Sequence, residues 1–286
     1  MIAPEISVVL PVYNGASTLT HAIRSILGQT YGNYEILVLD DGSTDASLDI
    51  ARKFSDPRLR IFSDGTNHGL AFRLNQGVDL ARGHYIARMD QDDICFPERL
   101  ARQHEFLEKH PEIDLLGCRT VAFNNDKNVR GLMPFRRTHR EICAQPWRGI
   151  YLAHPSWMGR TEWFRKHHYH LPEYFCAEDQ ELLLRACPVS RFECLEDVLL
   201  AYRKNDFRFN KVFIARKSLL SVQILHFAKR RQWSNAALSI LLFLIKVAAD
   251  CSTFIPGCRK MFFMKMSSSL PDSVEKDFRR LMVGYE

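Results

Sequence analysis

Asp90, Asp92 and Asp93 fill three of four consecutive positions directly after the apolar stretch "HYIARM". Carboxylates this close repel one another unless water, a cation or a hydrogen-bonding ligand offsets the charge, so an unanswered cluster costs free energy. A turn leading into a helix that Pro97 opens explains some acidity, because negative charge favours a helix N-terminus. Three carboxylates exceed that need. A few oxygen ligands at a strand end, with room for water and phosphate, are how proteins hold Mg²⁺ or Mn²⁺ against a diphosphate, and metal binding is the preferred reading of "DQDD".

Other groups are weaker when taken alone. In "LDDGSTD" a tight turn and helix cap explain Gly42 and Ser43, yet do not need both Asp40 and Asp41. A carboxylate there can accept from a base N–H or a ribose hydroxyl while nearby backbone N–H groups favour anions, so cap and ligand remain open. "NHGLAFRLNQG" offers Asn67 and Gly69 as a turn and Arg73 on the following helix, where a solvated arginine is the plain reading. Glu178–Asp179 opens a helix and by default caps it, although a carboxylate within reach of a hydroxyl can act as a base. His154 and Arg160 in "AHPSWMGR", and Tyr202 and Arg203 in "AYRKN", are further polar candidates, each alone structural. His167, His168 and His170 lack ligand spacing and a carboxylate partner, and read as a polar loop.

The elements that must carry these groups follow from periodicity. Over residues 6 to 89 the apolar runs "ISVVLPV", "YEILVL", "LRIF" and "HYIARM" alternate with helical segments, including Leu19, Ile23, Ile26 and Leu27, then "TDASLDIARKF", then Leu70, Leu74, Val78 and Ala81. This is βαβαβαβ with crossovers long enough to return the chain parallel, hence a doubly wound sheet. "PVYNG", "DDGSTD" and "DQDD" then fall at carboxyl ends of strands, where such sheets bind ligands. A helix over "PERLARQHEFLEKH" and a strand "IDLLGCRTVAF" outside the parallel set follow. Residues 124 to 177 read as irregular and substrate-facing, "RFECLEDVLLAYR" as two short strands, and the remainder as helical.

The 286 residues, 46% hydrophobic and 25% charged, suit one large globular domain with additions. A net charge of +6 fits an anionic substrate or membrane surface, while basic residues too dispersed for a nucleic-acid face argue against that partner. Eight cysteines without a CxxC pair argue against zinc and a disulfide framework, and read as reduced thiols. "MIAPEISVVLPVYN" has no basic and apolar leader, so a cytoplasmic location is expected.

In order, "PVYN", "DDGSTD", "NHG", "DQDD" and "ED" resemble the motifs of the family-2 glycosyltransferases, inverting enzymes of the GT-A fold, over about residues 5 to 205. The resemblance implies an α/β, Rossmann-like GT-A sheet, mainly parallel and mixed on the acceptor side, with helices on both faces. It implies a catalytic domain over 1–205, with a nucleotide-sugar half at 1–96 and an acceptor half at 97–205, and a helical extension over 206–286. Pro11, Tyr13, Asn14, Asp41, Asn67 and Arg73 would bind the nucleotide, with Asp40 a weaker candidate. Asp90 would lie near the sugar and Asp92 would bind Mg²⁺ or Mn²⁺, Asp93 being a weaker candidate. Asp179 would be the catalytic base, with Glu178 in support. The implied reaction takes a sugar from a nucleotide sugar, a UDP-sugar favoured, to a glycan or lipid-linked hydroxyl acceptor, as in bacterial envelope glycan assembly.

Departures from the family narrow this reading. The "QxxRW" motif of processive members does not occur, and no apolar run reaches the ~20 residues of a membrane span, which argues against a polymer-extruding synthase. Where relatives carry "YR.H" this chain has "YRKN", with Asn205 in the histidine's place. The 14-residue run "AALSILLFLIKVAA" and the basic, aromatic "FIPGCRKMFFMKM" suggest peripheral contact with the inner face of a membrane through 236–266. A sugar-1-phosphate nucleotidyltransferase is the alternative enzyme, disfavoured because "PVYNGASTL" lacks a Gly-rich, arginine-bearing loop. A non-catalytic nucleotide-sugar-binding protein is the other alternative, and would be favoured by loss of the metal acid or the base.

Overall fold

A computed structural model describes residues 3–171, 176–204, 208–252 and 272–284. Strands β1 (Ile6–Val12) and β2 (Tyr34–Asp40) are buried at every position, as their largely apolar runs, interrupted by Ser7, Glu35 and Asp40, require of strands covered on both faces. They pair in parallel, with β3 (Leu59–Ser63) outside β2 and β4 (Tyr85–Arg88) on the other side of β1. Helices α1 (Leu19–Leu27), α2 (Ser47–Arg52) and α3 (Leu70–Leu80) form the crossovers. Strand order therefore changes direction between β1 and β4, which places the ligand crevice beyond their carboxyl ends.

The second half is mixed. It comprises β5 (Ile94–Cys95), α4 (Arg99–Lys109), β6 (Leu115–Phe123), β7 (Val129–Leu132), α5 (His139–Ile142), β8 (Met158–Arg160), α6 (Thr161–Lys166), α7 (Glu178–Ala186) and β9 (Phe192–Arg203). β8 runs antiparallel between β4 and β6, β9 pairs parallel with β6, and β5 closes the edge antiparallel to β9. The sheet order is β3-β2-β1-β4-β8-β6-β9-β5, with β7 also on β6. This is the GT-A-like Rossmann architecture expected from the sequence.

Alternation along the strands sorts the core. Val9, Leu37, Leu39 and Ile86 pack with α3 and α7 on one face; Val8, Leu10, Val12, Ile36 and Val38 pack with α1 and α4 on the other. Beyond the sheet, α8 (Phe209–Lys229) and α9 (Trp233–Ser252) pack together, joined by a double hydrogen bond of Arg216 to the buried Asp250 at 2.6 and 2.9 Å. A terminal helix, Asp272–Gly284, sets Phe278 5.0 Å from the Phe123 ring.

Three sequence readings are corrected. "RFECLEDVLLAYR" is one strand of 12 residues, not two. The exposed Glu196 and Asp197 bulge out where the register against β6 shifts, which broke the apolar alternation. Residues 124 to 177 are not wholly irregular, since β8 lies inside the sheet and needs only three residues because strands hold it on both sides. The apolar run at 236–249 sits within a 20-residue helix, and among the described residues α9 is the one helix long and apolar enough to cross a membrane. Helix bounds follow backbone hydrogen bonding rather than apolarity, so Trp233–Asn235 and Asp250–Ser252 lengthen it beyond the run. Residues 254–266 and Asn205 lie outside the described residues.

Gly77 shows how closely α3 lies on the sheet. A Cβ there would stand 2.5 Å from Val9 Cγ1 and 2.9 Å from Leu39 Cδ1. Alanine gains about 1 kcal/mol of helix propensity over glycine, whereas overpacking a rigid core costs about 1–3 kcal/mol. Gly77→Ala is expected to lower the unfolding free energy by about 1 kcal/mol, seen as a lower urea midpoint. A raised midpoint would show that α3 can move off the sheet at little cost.

Candidate active site

The loops after β1 and β2 are built into each other. Asn14 takes a left-handed conformation with φ of 49°, which asparagine tolerates better than most residues. Its backbone N–H donates to Ser43 Oγ at 3.0 Å, and its side-chain oxygen accepts from the Thr44 N–H at 2.8 Å. Gly42, at φ 71°, lets the second turn approach residues 66–67, where a Cβ would meet Thr66 C at 2.7 Å and Asn67 N at 2.9 Å. Pro11 is buried in β1, Tyr13 is half exposed and Asn67 is exposed.

Asp41 holds the third loop. Its carboxylate accepts from the His68 N–H at 2.8 Å, the Gly69 N–H at 3.0 Å and Arg73 Nε at 2.9 Å. Arg73 is fully buried, and its remaining N–H groups donate to Asp64, Gln76 and the Thr66 carbonyl. All five donors are thus taken, and Arg73 positions Asp41 and the 64–69 loop. Asp40 is likewise engaged, accepting from Ser63 Oγ at 2.7 Å and the Ser43 N–H at 3.3 Å. The five nucleotide-side candidates beyond Pro11, namely Tyr13, Asn14, Asp41, Asn67 and Arg73, therefore share one wall.

Gln91 joins that wall to the acidic cluster, accepting from the Tyr13 N–H at 2.8 Å and donating to the Tyr13 carbonyl at 2.9 Å. Asp90 is paired with the buried Arg88 through both guanidinium nitrogens, at 2.5 and 2.7 Å. Asp93 is buried; one oxygen accepts from the Arg203 N–H at 2.7 Å, while the other has no partner. Burial first, and then Asp90 and Asp92, pushes its carboxyl well above the usual range. Asp92 is raised by burial and by Asp90. Arg203 Nε donates to the Asp92 carbonyl at 2.8 Å, so the end of β9 holds the cluster in place.

Glu178 and Asp179, in the first turn of α7, face the same space. A cleft of about 430 Å³ is lined by Arg88, Asp90, His154, Glu178, Asp179 and Tyr202, among others. Burial, then the adjacent Asp179, pushes Glu178 up to about 7. Burial likewise raises Asp179, and Gln180 Nε2 donates to it at 3.2 Å. The same Gln180 accepts from the Ile150 N–H at 2.9 Å, fixing the loop on the cleft's far side. His154 stays neutral because burial and Arg88 depress its pKa, and its Nε2 lies 2.7 Å from the Tyr169 hydroxyl. Arg160 is structural, donating to the Ile113 and Leu107 carbonyls at 2.6 and 3.2 Å.

Five carboxyls, Asp90, Asp92, Asp93, Glu178 and Asp179, thus converge with two guanidinium groups, Arg88 and Arg203. Excess negative charge, a raised Asp92 and an unpartnered buried oxygen on Asp93 fit a hard divalent cation. Sequence reasoning passed over Arg88, Gln91, Tyr169 and Gln180. Arg88 had one usable signal, a cation inside an otherwise apolar strand. The described cysteines are free thiols, and His139, Cys143 and Cys187 bring ligand atoms within 4.8 Å of one another without any CxxC spacing.

The family model for glycosyl transferase family 2 matches residues 7–167. EpsE of Bacillus subtilis, named as a glycosyltransferase, is 41% identical over 131 residues, 45% of this chain and 47% of that protein. The chain spans about half the length of EpsE in that match. MJ1057 of Methanocaldococcus jannaschii, an uncharacterised glycosyltransferase, is 29% identical over 209 residues, 71% of this chain and 72% of its own. Among solved structures, S. aureus TarS 1-349 in complex with UDP-GlcNAc has a TM-score of 0.65 at 20% identity, over 98% of this chain and 80% of that one. The mannosyltransferase PcManGT from Pyrobaculum calidifontis, in complex with GDP-Man and Mn2+, has a TM-score of 0.62 at 17% identity, over 100% and 88%. At that identity the two structures speak to fold alone. The match of the family model over more than half of the sequence supplies the assignment: the chain belongs to glycosyl transferase family 2.

Proposed function

We propose that the protein transfers a sugar from a nucleotide-sugar donor, a UDP-sugar favoured, to a hydroxyl acceptor with inversion at the anomeric carbon. The observation that carries this reading is the single cleft into which Asp90 and the Glu178–Asp179 pair both project. Membership of the family and the nucleotide-sugar complexes of two fold neighbours support it. The catalytic unit covers 1–205, with 1–96 serving the donor and 97–205 the acceptor, and 206–286, which includes α8, α9 and the Asp272–Gly284 helix, is an accessory extension.

Pro11, Tyr13, Asn14, Asp41 and Asn67 form the donor wall, and Arg73 acts on the nucleotide through the loop it holds. Asp90 lies beside the sugar, and Asp92 would hold Mg²⁺ or Mn²⁺. That cation would offset the charge of the departing diphosphate. Asp179 accepts the proton of the acceptor hydroxyl, whose oxygen forms a bond to the anomeric carbon as the bond to the diphosphate oxygen breaks. Attack from the face opposite the leaving group inverts the carbon. Burial raises the Asp179 carboxyl and so favours it as a proton acceptor, while burial and Asp179 raise the neighbouring Glu178 to about 7.

A glycan or lipid-linked acceptor in envelope glycan assembly fits α9. Its Ile240, Leu241, Leu244 and Ile245 are exposed along one face while Ala236, Ser239 and Asp250 are buried on the other. Such a face suits contact with the inner surface of a membrane.

These roles have separable tests. Asp92→Asn is expected to weaken Mn²⁺-dependent donor binding by at least about tenfold with the fold intact, as read by calorimetry; unchanged affinity would reject the metal assignment. Asp179→Asn should abolish transfer yet retain nucleoside diphosphate binding. In the parent protein kcat/KM should rise with pH above the usual carboxylate range, because Asp179, whose carboxyl burial raises, must lose its proton to act as a base. Glu178→Gln should move that limb to lower pH by removing the like charge; an unmoved limb would place the titrating group elsewhere. On the membrane side, the parent chain should sediment with anionic vesicles at low salt, and a Leu241→Glu, Leu244→Glu variant should remain in the supernatant. Equal behaviour of the two would rule out docking through α9.

A further inference from the structure

Away from the cleft, α5 begins with a capping box in which the Thr138 side chain accepts from the Glu141 N–H and Glu141 accepts from the Thr138 N–H. This fixes a single helical turn on which His139 and Cys143 stand four residues apart, on one face. Their Nδ1 and Sγ atoms are 3.8 Å apart. Cys187 arrives from elsewhere in the chain, as the residue that ends α7, with its N–H donating to the Leu183 carbonyl. The three ligand atoms all lie within 4.8 Å of one another, and the three side chains are partly buried.

Those separations suit a tetrahedral ion. Zinc bonds of ~2.0–2.3 Å to imidazole and thiolate leave adjacent ligand atoms ~3.5–3.8 Å apart. His139 Nδ1 accepts from the Phe192 N–H at 3.2 Å, which requires that nitrogen to be unprotonated, as a metal ligand must be. Metal binding would displace this long bond. Burial and Arg191 keep the imidazole neutral; the hydrogen bond between the thiols lowers Cys187 and, with burial, raises Cys143, so an ion must displace the Cys143 proton. His139 and Cys187 border a surface hollow that also exposes Asp114 and Glu193, leaving room for water as a fourth ligand. Arg191 and Arg230 oppose a cation here, Asp114 favours one, and two thiolates supply the larger neutralising charge.

We propose that His139, Cys143 and Cys187 form a second metal site, selective for zinc over the hard cations expected at the acidic cluster. Nitrogen and sulfur donors prefer such borderline-soft ions. Binding replaces two S–H bonds by metal–sulfur bonds and releases the protons to solvent. The ion ties the end of α7 to α5. Since Glu178 and Asp179 occupy the other end of α7, the site braces the helix that bears them. The inference stands whether or not the protein transfers sugar.

The test uses the full reduced chain, stripped with a chelator and titrated with Co²⁺. One equivalent should give thiolate-to-cobalt charge-transfer and tetrahedral ligand-field bands, which Zn²⁺ then removes. Zn²⁺ should also shield Cys143 and Cys187, but not Cys251, from alkylation. Cys143→Ser and Cys187→Ser should each lose the charge-transfer intensity and at least about tenfold in affinity, with circular dichroism confirming the fold. Cys251→Ser should retain both, and Asp92→Asn should leave the bands unchanged. Absence of the bands in the folded parent, or their persistence in the combined Cys143→Ser, Cys187→Ser variant, would overturn the proposal. So would Cys143 and Cys187 that cross-link on oxidation yet bind no cobalt when reduced.

Discussion

Arg88 is a buried cation on which the acidic face of this protein depends. A guanidinium taken out of water costs several kcal/mol unless it is paired and hydrogen-bonded, and Arg88 is almost wholly buried at the end of β4. Asp90 answers it directly. Its field also favours the ionised forms of Asp92, Asp93, Glu178 and Asp179, and opposes protonation of His154. The backbone of the same residue is anchored, its N–H donating to the Trp157 carbonyl at 2.8 Å and its carbonyl accepting from Arg99 at 2.7 Å. One strand end thus fixes the position of a charge, and that charge lets carboxyls from distant segments share a cleft.

The segments on the two sides of the acidic cluster are held by different means. After β2 and β3, Asp41 and Arg73 lock short loops whose hydrogen bonds are satisfied within the protein, so little reorganisation is left for ligand binding to cost. Around α7, position depends on longer connections. Gln180 ties the start of α7 to Ile150, and Asn75 clamps Tyr169 by a reciprocal pair of bonds at 2.8 and 2.9 Å. Asp93 and Arg203 join the two sides through β9.

The sequence by itself determined the parallel half of the sheet. Residues 6–89 alternate apolar runs with helical periods, and hydrophobic burial on two faces leaves such a pattern few other arrangements. It also identified the acidic groups, because clustered charge at strand ends needs an explanation that capping does not supply. Tertiary structure decided what local pattern cannot encode. The bulge at Glu196–Asp197 hides a single strand, β8 is held in the sheet by its neighbours, and α9 runs past its apolar stretch. Arg73 became a fully buried brace because Asp41 and Asp64 converge on it from different loops. Asp90 and Asp179 came to share a cleft, and Cys143 came to meet Cys187, only because chain folding brings together segments dozens of residues apart. Periodicity reports which side of an element faces the core; which residues meet across the core is set by how the elements pack.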